Sequence, residues 1–132
     1  GQVKNIHEWM AASDILITKA GGLTVTEALT VGLPMVIVRP TPGQEDGNTK
    51  YVIDAQAGVY PKDIKELRSV VAGLIANPEK LAVMSRNAVK FSRPDANTAI
   101  LTEMESLIAR NKAAVNIITP SENISLCQTP VK

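Results

Sequence analysis

Two short apolar runs, each ended by a turn and followed by a helical pattern, constrain this chain most. The first is Ile15-Leu16-Ile17-Thr18; Lys19-Ala20-Gly21-Gly22 breaks it, and a helix is expected from about Thr24 to Val31. The second is Met35-Val36-Ile37-Val38, followed by a loop marked by Pro40, Pro42, Gly43 and Gly47 and a helix from about Asn48 to Ala55. Such runs are short, rich in β-branched residues and without a polar face, so they read as buried strands. Between them Gly32 stands where a left-handed helix cap is wanted, and Pro34 forbids continuation. Strands alternating with helices imply parallel pairing through right-handed crossovers. The expected fold class is α/β, a partial Rossmann-like, doubly wound parallel sheet with C-terminal helices.

The flanking segments extend the pattern. A short helix through Trp9, Met10, Ala11 and Ala12 precedes the first strand, and Val59-Tyr60 after Gly58 makes a third. Asp63-Ile64-Lys65-Glu66 has the capping-box pattern, with Ile64, Leu67, Val70, Val71, Leu74 and Ile75 repeating behind it at helical spacing. Asn77-Pro78 opens another helix with apolar positions Leu81, Met84, Ala88 and Phe91, and Ile100, Met104, Leu107 and Ile108 line a last one. From about Ala113 the periodicity fades. Three strands are few for a parallel sheet, so the sheet is expected to be incomplete with an exposed edge. Gly1-Gln2-Val3-Lys4 reads as the middle of a fold, which suggests part of a larger protein. The expected division is a folded part over 1–110 and a polar, mobile tail over 111–132.

Composition narrows the function classes. The 14 Lys and Arg against 13 Asp and Glu, with no long basic run, argue against nucleic-acid binding by phosphate neutralisation. Aromatic residues at 3% are too few for stacking on single strands. A single cysteine, Cys127, excludes an internal disulfide, and a single histidine, His7, leaves little for a metal site. No apolar run approaches the roughly 18 residues of a membrane span.

Two segments carry candidate chemistry. Thr18 to Glu27 is a strand, a glycine turn and a helix start in succession, at the strand end where open α/β sheets bind ligands. Paired glycines allow close backbone approach, and the free amides of Leu23, Thr24 and Val25 at a positive helix end suit a diphosphate. Hydroxyls of Thr24 and Thr26 could add donors. The competing reading is a plain capping box, Thr24 with Glu27. The turn is neither a Walker A loop nor Gly-x-Gly-x-x-Gly. Pro40 to Asn48 also follows a strand and crowds Gln44, Glu45, Asp46 and Asn48 between glycines, a set able to read sugar hydroxyls. The alternative there is a solvated turn in which Asp46 or Asn48 caps the next helix.

Taken in order, Asn5 to Asp14, Thr18 to Pro34 and Pro42 to Asn48 resemble the C-terminal half of GT-B glycosyltransferases. The resemblance covers roughly residues 3 to 110. It is nearest to the monogalactosyldiacylglycerol synthases and processive diacylglycerol glucosyltransferases, with the peptidoglycan N-acetylglucosaminyl transferase more distant. It implies that Gly21, Gly22, Leu23 and Thr24 face the UDP diphosphate, that Glu27 takes the ribose hydroxyls, and that Gln44, Glu45 and Asn48 contact the donor hexose. It implies a UDP-hexose as donor substrate, with no cofactor, and a lipid acceptor such as diacylglycerol reached through an N-terminal domain; no metal is expected, since this segment has no Asp-x-Asp pair. That domain would hold the acid/base groups, so an isolated chain is expected to be inactive. The full-length enzyme is expected to be cytoplasmic and peripheral at the membrane face. Gln56 departs from the pattern, since relatives usually carry a small residue there, and is expected to alter packing at that helix end. Alternatives are a non-catalytic, truncated nucleotide-sugar-binding fragment and a UDP-N-acetylglucosamine transferase or epimerase relative.

Overall fold

The computed structural model of the chain describes residues 3–118. It divides into two compact units, Gly1–Pro94 and Asp95–Lys132. In the first, α1 (Ile6–Ala11), β1 (Leu16–Thr18), α2 (Gly22–Thr30), β2 (Met35–Ile37), α3 (Asp46–Asp54) and β3 (Gly58–Val59) alternate as expected. A 3₁₀ turn at Ile64–Glu66 then leads into α4 (Leu67–Ile75), followed by α5 (Pro78–Phe91). The second unit holds α6 (Ala96–Ile118). Of the tail expected over 111–132, the backbone to Ile118 is still helical, past Ala113 where the apolar repeat fades; the rest, with Cys127, lies outside the described residues.

The strands form one parallel sheet in the order β1-β2-β3. Leu16 pairs with Met35 and Thr18 with Ile37, while Met35 and Val36 pair with Gly58 and Val59. β2 is central and buried along its whole length, as a parallel strand covered on both faces must be. Its side chains alternate between two cores. Met35 and Ile37 pack with Met10, Val25, Ala28, Leu29, Val52 and Ala88, whereas Val36 packs with Leu74, Met84 and flanking Ile15, Val59 and Val71. Helices therefore cover both faces of β2, whereas β1, read from its sequence as a buried strand, lies at the sheet edge and is only part-buried, with Ile17 46% exposed.

The helix ends follow from local chemistry. Asn77 caps α5 by accepting from the Lys80 amide at 3.0 Å, with Pro78 at the first helical position. Asp63 accepts from the Lys65 amide at 2.9 Å, so its cap serves the 3₁₀ turn that precedes α4. α2 ends in a Schellman motif: the Leu33 amide donates to Ala28 O at 2.8 Å and the Gly32 amide to Leu29 O at 3.1 Å. Gly32 has φ +68°, and a Cβ there would lie 2.9 Å from Val89 Cγ2. Trp9 is 59% exposed, while its neighbour Met10 is buried. On so short a helix, consecutive residues face apart, and Met10 takes the core position.

Candidate functional site

Parallel pairing brings both candidate segments to one end of the sheet. The Val38 amide donates to Thr18 O at 2.8 Å, so β1 and β2 end together, and the glycine turn and the proline-rich loop leave side by side. Ligands of open α/β sheets bind beyond these carboxyl ends.

The glycine turn differs from the expectation in its register. Helix α2 begins at Gly22, with Gly21 at the N-cap in an extended conformation and no side-chain cap bond. Thr24 thus lies in the first turn and Glu27 in the second, so the Thr24–Glu27 capping box does not form. The first helical bond runs from the Val25 amide to Gly21 O at 2.9 Å. The amides ahead of it are those of Gly22, Leu23 and Thr24, one residue earlier than the set expected from sequence. The Thr26 hydroxyl donates back to Gly22 O at 2.8 Å, which occupies the donor expected to face a ligand. Leu23 is 83% exposed and Glu27 is exposed, both on an open surface.

The loop is held by its own acidic residues. The Thr41 amide donates to Glu45 Oε2 at 2.6 Å, and the Glu45 amide donates to Thr41 O at 2.9 Å, closing the loop reciprocally. The Gly43 amide donates to Asp46 Oδ2 at 2.8 Å. Glu45, not Asp46 or Asn48, occupies the N-cap of α3, and one oxygen of its carboxylate, Oε2, accepts from the Thr41 amide. Buried Thr49 donates its hydroxyl to Glu45 O at 2.9 Å. Gln44 is exposed on this loop. Arg39, entering the loop, has φ +43°, an uncommon conformation for a non-glycine residue and one that nothing in the sequence signals.

The two segments meet through Asn48. Its Nδ2 donates to Ala20 O at 2.9 Å, across 28 residues of sequence. A Cβ built on Gly21 would lie 3.8 Å from Glu45 Oε1, and one on Gly22 would lie 3.8 Å from Asn48 Nδ2. The helix start, its free amides, Glu45 and Asn48 thus share one patch. Neither motif predicts this bond by itself. Among the described residues, no cluster of three or more His, Cys, Asp or Glu is arranged to hold a metal ion.

Residues 3–100 match the glycosyltransferase family 28 C-terminal domain. The chain belongs to that family. Its relatives include monogalactosyldiacylglycerol synthase 3 of Arabidopsis thaliana, 44% identical over 103 residues that make up 77% of this chain and 22% of that protein. The processive diacylglycerol beta-glucosyltransferase of Bacillus licheniformis is 33% identical over 114 residues, 85% of this chain and 30% of that protein. The chain therefore spans less than a third of the length of these relatives. The crystal structure of MurG from Acinetobacter baumannii superposes with a TM-score of 0.70 at 23% identity, covering 80% of this chain and 32% of MurG. That likeness shows a shared fold, an α/β parallel sheet of the GT-B type. No helix among the described residues is long and apolar enough to cross a membrane.

Proposed function

We propose that this family 28 domain is the donor-binding part of a UDP-sugar-dependent hexosyltransferase whose acceptor is a lipid such as diacylglycerol. The observation that carries the reading is the meeting of the glycine turn and the Gln44–Asn48 loop at the carboxyl ends of β1 and β2. The amides of Gly22, Leu23 and Thr24 at the positive end of α2 would hold the diphosphate, with Gly21 leaving room for it. Exposed Glu27, released from any capping role, would take the ribose hydroxyls. Gln44 and Glu45 would face the hexose. The names of the relatives, galactolipid and glucolipid synthases, support a lipid acceptor.

The chemistry asked of these residues is electrostatic. In transfer, the acceptor oxygen bonds to the anomeric carbon as the bond from that carbon to the diphosphate oxygen breaks, and UDP departs with the electron pair. The acceptor's hydroxyl proton passes to a base outside the residues described above. Charge grows on the diphosphate as the bond breaks. Fixed amides and the helix end stabilise that charge more than they stabilise the bound donor, which lowers the barrier. The test is calorimetric titration with UDP, UDP-galactose and UDP-glucose. Gln44→Ala is expected to weaken binding of the nucleotide sugars about ten-fold while UDP affinity stays nearly unchanged; equal loss of both would make the loop structural.

A further inference from the structure

Asn48 resembles a sugar ligand by its place in the motif, yet the partner it has in this structure is the chain itself. Ala20 is fully buried, and its carbonyl sits between the last sheet bond, at Thr18 O, and the helix cap at Gly21. At that position the chain has left the ladder and has not entered the helix, so neither supplies a donor to Ala20 O. Asn48 supplies one at 2.9 Å from α3. The same Nδ2 lies over Gly22, in contact distance of where a Cβ would stand. Asn48 in turn is fixed by a helix whose start is pinned by Glu45 to Thr41 and by Thr49 to Glu45 O.

We propose that Asn48 is a positioning residue: its amide holds the Ala20 carbonyl and so sets the direction of the Gly22, Leu23 and Thr24 amides that receive the diphosphate. The inference rests on the donor-site reading above. Without the amide donor, a buried carbonyl loses its hydrogen bond, and the turn rotates or admits water to satisfy it. Either change moves the cap residue from which the first helical bond of α2 is made. Sugar-contacting side chains act on the hexose alone, whereas a residue acting through the turn affects any ligand that carries the diphosphate. That difference makes the role measurable.

The experiment replaces Asn48 with Leu, which keeps much of the volume and removes the donor without adding charge. UDP and UDP-galactose are titrated into the wild-type and variant proteins by calorimetry, well below the variant's Tm. Both affinities are expected to fall by the same factor, roughly ten-fold. A loss confined to UDP-galactose, or no loss with either ligand, overturns the proposal. If Asn48→Leu does not fold, Asn48→Ala is measured in the same way. If the wild-type protein binds neither ligand, the donor-site reading fails, and amide exchange without ligand decides the structural claim. Exchange at Val25, whose amide makes the first bond of α2, is then expected to quicken at least several-fold in the variant; an unchanged rate overturns the proposal.

Discussion

Gln56 shows how much a single backbone angle explains. It sits just past α3 with φ +53°, and its amide donates to Ile53 O at 2.9 Å while the Ala57 amide donates to Val52 O at 3.1 Å. This is the same Schellman geometry that Gly32 provides after α2, here built with a residue that has a Cβ. The departure at Gln56 therefore acts on the backbone and not on helix packing, since the side chain is exposed. Gln56→Gly relieves the left-handed strain at some cost in unfolded-state entropy, and is expected to stabilise the protein by ~0.5–1 kcal/mol, read as a Tm raised by a few degrees. Glu27 is the contrasting case. It lies in the second turn of an exposed helix face and closes no cap, so Glu27→Ala is expected to leave the Tm nearly unchanged. On the ribose reading the same change weakens UDP binding at least several-fold, and calorimetry beside thermal melting separates the two effects. A lowered Tm with intact UDP affinity would instead give Glu27 a structural role.

At the scale of elements, the order of strands and helices was legible because each apolar run is bounded by residues with a physical reason to stop it. Gly32 and Pro34 bound α2 against β2, and Asn77-Pro78 starts α5 where the sequence places it. The boundary of α2 was less legible. Gly21 at an N-cap gives no side-chain signal, whereas Thr24 and Glu27 imitate one, so the expected start fell two residues late. The contact between Asn48 and Ala20 was not legible at all, because it needs the parallel register of β1 and β2 before the two segments become neighbours. β3 depends on close approach. A Cβ on Gly58 would lie 2.5 Å from Val52 Cγ1 and 2.7 Å from Met35 O. Gly58→Ala is expected to destabilise by ~1–3 kcal/mol, seen as a lower urea midpoint. Gly73 lies inside α4 with open space around it, so Gly73→Ala is expected to stabilise by ~0.5–1 kcal/mol in the same assay.

For the whole molecule, the architecture explains why a small sheet suffices to display a ligand surface. β2 is buried on both faces and pairs with β1 and β3 on either side, so the turns beyond the strand ends rest on a buried central strand. Membership of the family 28 C-terminal domain and the likeness to MurG agree with that frame, and the donor site is the claim that frame supports. NMR titration tests it most directly: ¹⁵N-labelled protein is titrated first with UDP and then with UDP-galactose. The account predicts that UDP perturbs the amides of Gly21 to Thr24 and Glu27, and that the hexose adds perturbations at Gln44 and Glu45. Shifts centred elsewhere, such as the cleft lined by Ser13, Asp14, Pro34 and Ser85, or no shifts at millimolar UDP, would contradict it.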